Sequence, residues 1–228
     1  MSQEEINASN NGGAVAVCPK KKRDKSPVVF YTDRMVFNGE TIMYSDIDIV
    51  NMGGSHTTYY ALFESFSGYV KFHLKDNRKL KWKVGSFGAF GLGNVKTKSK
   101  YYGLMLEASI STVAKVLAAA YLNQLKLGST ITVAGVTITP DSLTAKQGLR
   151  LKPTTVSLND VAYASFDRGN IYVCDEAGKP VFNAVSVSLD NAACLLTIIN
   201  TLASKNSAQK TTASQEAAAE ANTSGNNQ

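Results

Sequence analysis

Residues 68–84 read GYVKFHLKDNRKLKWKV. Val70, Phe72 and Leu74 on one arm and Leu80, Trp82 and Val84 on the other are apolar, and basic residues stand between them. A period of two is the mark of a half-buried strand, and two such arms around a short polar turn make an antiparallel hairpin. With Asp76-Asn77-Arg78 as the turn, Lys75 is expected opposite Lys79, His73 opposite Lys81 and Lys71 opposite Lys83. Leu74/Leu80, Phe72/Trp82 and Val70/Val84 then pair on the other side. The hairpin has an apolar inner face and an outer face of five lysines and a histidine.

Upstream the chain is also strand-like. Val28-Val29-Phe30-Tyr31 and Met35-Val36-Phe37 lead into Asn38-Gly39, a strong two-residue hairpin signal, and Thr41-Ile42-Met43-Tyr44 resumes the pattern. Downstream the period changes to 3.6. Ile110, Val113, Ala114, Leu117, Ala120, Tyr121 and Leu125 form one helical stripe, with Ser109 or Ser111 as its cap and Gly128 at the position of a helix-ending glycine.

The order then repeats. Ile131–Ile138 reads as a strand pair bending at Gly135, and further alternating segments run through Val187. A second stripe, Leu189, Ala192, Ala193, Leu195, Leu196, Ile199 and Leu202, is capped by Ser188 or Asp190. Tyr31–Val36 aligns with Ile138–Leu143, Thr41–Ile47 with Thr155–Val161, and Tyr69–Lys83 with Ile171–Asn183. A repeat of about a hundred residues is a duplicated domain, since each unit is large enough to own a core. The expected division is a polar and basic tail over 1–26, domains over 27–127 and 128–203, and an Ala/Ser/Gln tail over 204–228.

The composition of the 228 residues agrees with a globular chain: 44% hydrophobic, 18% charged, net charge +6. Two histidines and three cysteines (Cys18, Cys174, Cys194) are too few for a finger-type zinc cluster or a disulfide scaffold. Cys174 and Cys194 fall on core elements, and Cys18 in the N-terminal tail. No run of about 18 apolar residues predicts a membrane span, and the polar start lacks the apolar core of a secretory signal. The expected location is cytoplasmic, or nuclear if Lys20-Lys21-Lys22-Arg23-Asp24-Lys25 acts as an address. That run also reads as a lipid-touching segment or a solvated tail.

The order strand, turn, strand, a Ser-Asp-Ile or Asn-Asp-Val segment (Ser45–Ile47, Asn159–Val161), more strands and one helix, given twice, resembles the pleckstrin-homology-like superfold. The second half is similar to its bacterial and GRAM-like branch, through Thr139-Pro140-Asp141-Ser142-Leu143 and the Asn191–Ile199 helix start. The resemblance implies a mainly β fold: two bent antiparallel sheets or partly open barrels in tandem, each closed by a helix. Neither helix carries the tryptophan of the better-known eukaryotic members; Trp82 lies in a strand.

Charge placement is the strongest functional pointer. Residues 71–100 hold nine Lys and Arg against one acid, Asp76. Like charges directly opposite one another destabilise a sheet, so a face bearing Lys71, His73, Lys75, Lys79, Lys81 and Lys83 fits an anion or acidic partner that neutralises it. It equally fits a solvated face that discourages edge pairing. A second candidate is Lys146, Arg150 and Lys152, similar to the signature with which some members of the superfold grip inositol phosphates. The glycine-rich stretch 85–94 matches no phosphate-loop spacing. It is expected to be a mobile loop with Phe87 and Phe90 exposed; its functional alternative is a tip at which they touch a membrane or partner beside Lys96, Lys98 and Lys100. No nucleophile, acid–base or metal constellation is readable, so the expectation is a non-catalytic module without cofactor. Its expected partner is an acidic lipid surface or an acidic protein. The alternatives are a nucleic-acid- or histone-associated protein and a structural assembly subunit.

Overall fold

The structure is a computed structural model describing residues 13–60, 63–89, 93–147, 152–167 and 169–224, with main chain alone at 147 and 209–224. In the first half, β1 (Ala16–Cys18), β2 (Val28–Phe30), β3 (Arg34–Phe37) and β4 (Glu40–Met43) form one antiparallel meander. A 3-10 turn at Tyr44–Asp46 leads to a second meander of β5 (Ile47–Tyr59), β6 (Phe63–Leu74) and β7 (Lys79–Ala89). Helix α1 (Val95–Lys126) follows. The second half has the same order: β8 (Ile131–Val133), β9 (Val136–Ile138), β10 (Ser142–Gln147) and β11 (Lys152–Ser157), then a 3-10 turn at Leu158–Asp160. After it come β12 (Tyr163–Asp167), β13 (Asn170–Cys174), β14 (Val185–Ser186) and α2 (Ala192–Ser224). The fold is mainly β, with four antiparallel sheets among the described residues, none a closed barrel.

The turns show the duplication atom by atom. The Tyr31 N–H donates to Arg34 O at 2.8 Å, and the Thr139 N–H to Ser142 O at 2.9 Å. The Tyr44 N–H reaches Asp33 O at 3.0 Å, and the Leu158 N–H reaches Asp141 O at 2.9 Å. Tyr31 therefore corresponds to Thr139, one residue beyond the sequence alignment, whereas Thr41–Ile47 against Thr155–Val161 holds as aligned. Asn38 and Gly39 (φ +51° and +85°) form the two-residue turn that their sequence predicts between β3 and β4. Both halves feed one core, in which Phe30, Met35, Trp82 and Val113 of the first half join Ile138, Leu158, Leu195 and Ile199 of the second.

Several expectations are corrected. Residues 14–26 are not simply tail: Ala16–Cys18 pairs with β2 and Cys18 is fully buried, because the short run Ala14–Cys18 supplies an apolar strand inside polar surroundings. Helix α1 begins at Val95, not near 110. Ser109 and Thr112 are interior to it, their hydroxyls donating to the carbonyls of Met105 (2.7 Å) and Ala108 (2.6 Å) across a π turn at Ile110–Ala114. At its other end Gly128 (φ +80°) closes the helix as expected, with Gly128 N–H on Leu125 O and Ser129 N–H on Gln124 O. Helix α2 starts at Ala192, and neither expected cap is free for it: the Ser188 hydroxyl meets the Ser186 hydroxyl at 2.7 Å, and Asp190 Oδ1 accepts from Asn51 Nδ2. It then continues through the alanine-rich segment to Ser224, where a tail was expected. By length and composition α1 is long and apolar enough to cross a membrane, but its Met105, Ala108, Val113, Ala114 and Ala118 are core residues.

Candidate anion-binding face

The hairpin of β6 and β7 closes with the Leu74 N–H on Arg78 O (2.9 Å) and the Asn77 N–H on Leu74 O (3.0 Å). The three-residue loop is Lys75-Asp76-Asn77, one residue earlier than expected. The reason lies at its third position, where the backbone is left-handed: Asn77 takes φ +70°, which asparagine tolerates far better than arginine. The register becomes Val70↔Trp82, Lys71↔Lys81, Phe72↔Leu80 and His73↔Lys79, with Lys83 opposite Tyr69. This is a slip of two from the expected pairing, so every side chain keeps its face. Val70, Phe72, Trp82 and Val84 are buried. Lys71 and His73 are half-buried, and Lys75, Lys79, Lys81 and Lys83 are exposed.

Among the described residues no carboxylate is ion-paired to the lysines of this face. The ion pairs among the described residues are Arg34–Asp33, His56–Glu64, and Arg78 with Glu40 and Asp76. Hydrogen bonds from the Arg78 side chain and backbone hold the Asp76 carboxyl below its ordinary range, so the turn's one acid is spent on Arg78. Lys71 instead sets its Nζ 4.8 Å from the centre of the Tyr69 ring. Tyr69 lies flat across β5, where a Cβ on Gly53 would stand 2.8 Å from its hydroxyl.

The same face continues along the sheet. Phe87 is not in a loop: β7 runs on to Ala89, pairing Phe87 with Ser65. Register places Phe87, Phe63 and Tyr59 on the face of the lysines, and the Phe63 and Phe87 rings stack at 6.0 Å and 22°. Phe63 and Tyr59 had no place in the sequence reading, although the alternation of β6 extends to Phe63, and Tyr59 pairs opposite it on β5. Phe90 lies outside the described residues.

Of the phosphate-grip candidate, the structure describes Lys146 and Lys152. Arg150 lies outside the described residues. Lys146 pairs opposite Pro153 and Lys152 opposite Gln147, which are successive pairs of one ladder and project from opposite faces. The Lys20–Lys25 run is the β1–β2 connection, folded around Asp24, whose carboxylate accepts from the N–H groups of Lys20 (2.7 Å) and Ser26 (3.2 Å). Meander topology puts this connection at the same end as the Asn38-Gly39 turn. The Arg78–Glu40 pair joins that end to the β6–β7 turn. Lys98, at the start of α1, donates to Lys20 O and stands over Tyr101. The basic loop and the lysine face thus share one end of the first half.

Elsewhere, a cleft of about 730 Å³ separates β5 from β13 and β14, lined by Gly54, His56, Phe66, Tyr102, Phe166 and Asn170. His56, in its lining, sets Nε2 against Glu64 Oε1 at 2.6 Å. No group of three His, Cys, Asp or Glu side chains among the described residues could hold a metal. Compared with family models, curated proteins and solved structures, the chain matches none.

Proposed function

We propose that the chain is a non-catalytic binding protein built from two pleckstrin-homology-like units, the first of which engages an anionic partner through the outer face of β6 and β7. The element order supports this reading: a four-stranded meander, a 3-10 turn, a three-stranded meander and a helix, occurring twice. One observation carries the functional part. Lys71, Lys79, Lys81 and Lys83 crowd one sheet face, two of them directly opposite each other, and none is ion-paired to a carboxylate among the described residues. That arrangement is costly in isolation and is relieved by an external anion. Acidic headgroups, acidic protein segments and nucleic-acid backbones share the required chemistry. The second unit carries Asp175 and Glu176 at the matching turn, so this role belongs to the first.

Retention on immobilised heparin tests the reading. The wild type is expected to elute late and at a sharply salt-dependent position, and K79E/K81E/K83E to elute early. Equal retention of the two proteins would contradict it.

A further inference from the structure

The outer face of the β5–β6–β7 sheet divides into three zones along its length. At one end stand His73, Lys71, Lys79, Lys81 and Lys83. At the other, Tyr59, Phe63 and Phe87 are 52%, 36% and 66% exposed. Between them the face is hydroxyl and glycine: Ser55 and Ser67, whose hydroxyls are 3.2 Å apart, with Thr57, Ser65, Gly53 and Gly85. From Lys71 to Phe63 the platform runs eight residues, about 27 Å at ~3.4 Å per residue, and three strands make it about 10 Å wide.

From this arrangement we infer that the face binds an extended single-stranded nucleic acid. The inference rests on the anionic-partner reading above and names the partner. Phosphates lie over the lysines, and the hydroxyl strip donates to phosphate and sugar oxygens. Unpaired bases stack on the Phe63–Phe87 pair, which the fold leaves exposed. Each alternative leaves one zone without a role. An acidic peptide uses the lysines and not the rings. A duplex keeps its bases inside its own stack, out of reach of Phe63 and Phe87. A bilayer that takes up the rings from this sheet face must also take up the adjoining serine and threonine hydroxyls, which hydrocarbon cannot satisfy.

The test is fluorescence anisotropy of the full chain with labelled oligo(dT) of about a dozen nucleotides, against a duplex of equal length and phosphatidylserine vesicles. The inference expects oligo(dT) to bind more tightly than the duplex. F63S/F87S should weaken it about tenfold or more with an unchanged salt slope, since a stacked base contributes on that scale. K79E/K81E/K83E should weaken it and flatten the log–log salt dependence by about two, the contribution of three phosphates on a single strand. Phe87→Trp adds a direct readout, because stacking on a base quenches its emission. Equal affinity for single strand and duplex, with F63S/F87S binding like the wild type, overturns the inference and leaves the lysine reading intact. Binding to vesicles without binding to oligo(dT) overturns it in favour of a bilayer. A triple-lysine variant that binds oligo(dT) as the wild type does overturns both. Unfolding of each variant in urea confirms that surface changes at these positions leave the fold in place.

Discussion

Asn191 closes the free edge of β5 as a strand would: its backbone N–H donates to Val50 O, and its side-chain Oδ1 accepts from the Val50 N–H, both at 2.8 Å. Its Nδ2 also donates to Asp48 O and to the Tyr121 hydroxyl, each at 3.1 Å. One side chain at the start of α2 therefore ties the sheet of the first unit and the end of α1 to the second unit.

Asn191→Ala removes that tie. It leaves the buried Val50 N–H without its acceptor, deprives Asp48 O and Tyr121 of a donor and puts alanine at φ +59°, which together should cost about 2–4 kcal/mol. Urea unfolding is expected to show one cooperative transition at a lower midpoint. An unchanged midpoint would mean that the units do not depend on this contact.

Gly68 is needed for packing rather than for its backbone angle. A Cβ there would stand 2.5 Å from Tyr102 Cδ2 and 2.6 Å from Cγ, because the ring lies on the Gly54–Gly68 pair. Gly68→Ala should lose about 1–3 kcal/mol of stability. Combined with Tyr102→Ala it should lose less than the sum of the two single changes.

Asn77 reports the hairpin register. At φ +70° an alanine costs about 1 kcal/mol while glycine is tolerated, so Asn77→Ala should lower the thermal midpoint and Asn77→Gly should not. Had Arg78 held the third loop position, Asn77→Ala would be nearly silent.

The buried thiols give the fold an alkaline limit. Burial pushes both Cys18 and Cys194 up to about 12, from an ordinary value of 9.0; the nearby Glu107 carboxylate adds to the effect at Cys18. The unfolded chain therefore releases these protons first as pH rises. Their contribution is complete below about pH 9 and is lost between about 9 and 12. The urea midpoint should fall between neutral pH and about pH 10.5, and thiol reagents should react slowly with the native protein at neutral pH.

Local periodicity made the faces of the lysine hairpin legible, but not its register. A slip of two preserves every in–out assignment, and only the backbone preference of Asn77 decides between the alternatives. The duplication was legible in turn residues such as Asp46/Asp160, whereas the Asp33/Asp141 match, one residue off the sequence alignment, shows only in the backbone bonds to Tyr44 and Leu158. It was blurred on the outer sheet faces, where the row Val17, Val29, Val36 and Thr41 is replaced by Thr132, Thr137, Thr144 and Thr155. Valine and threonine share β-branching and not hydropathy, so strand propensity survives while the pattern changes. Asn191 was legible only as a helix-start residue, since its partner Val50 lies 141 residues away. The first half of α1 was hidden by Lys96, Lys98 and Lys100, which interrupt the apolar pattern before the stripe becomes regular: Lys96 and Lys100 are exposed, and Lys98 is half-buried against Lys20 O.

Titration of the isotopically labelled protein with a short heparin oligosaccharide, read as residue-by-residue amide and lysine side-chain shifts, locates the anion on the surface. The account predicts salt-sensitive changes concentrated at Asn51, Lys71, His73, Lys79, Lys81 and Lys83, with smaller ones at the adjoining Lys20–Lys25 loop. Changes confined to that loop or to the second unit, with the β6–β7 face unmoved, would contradict it.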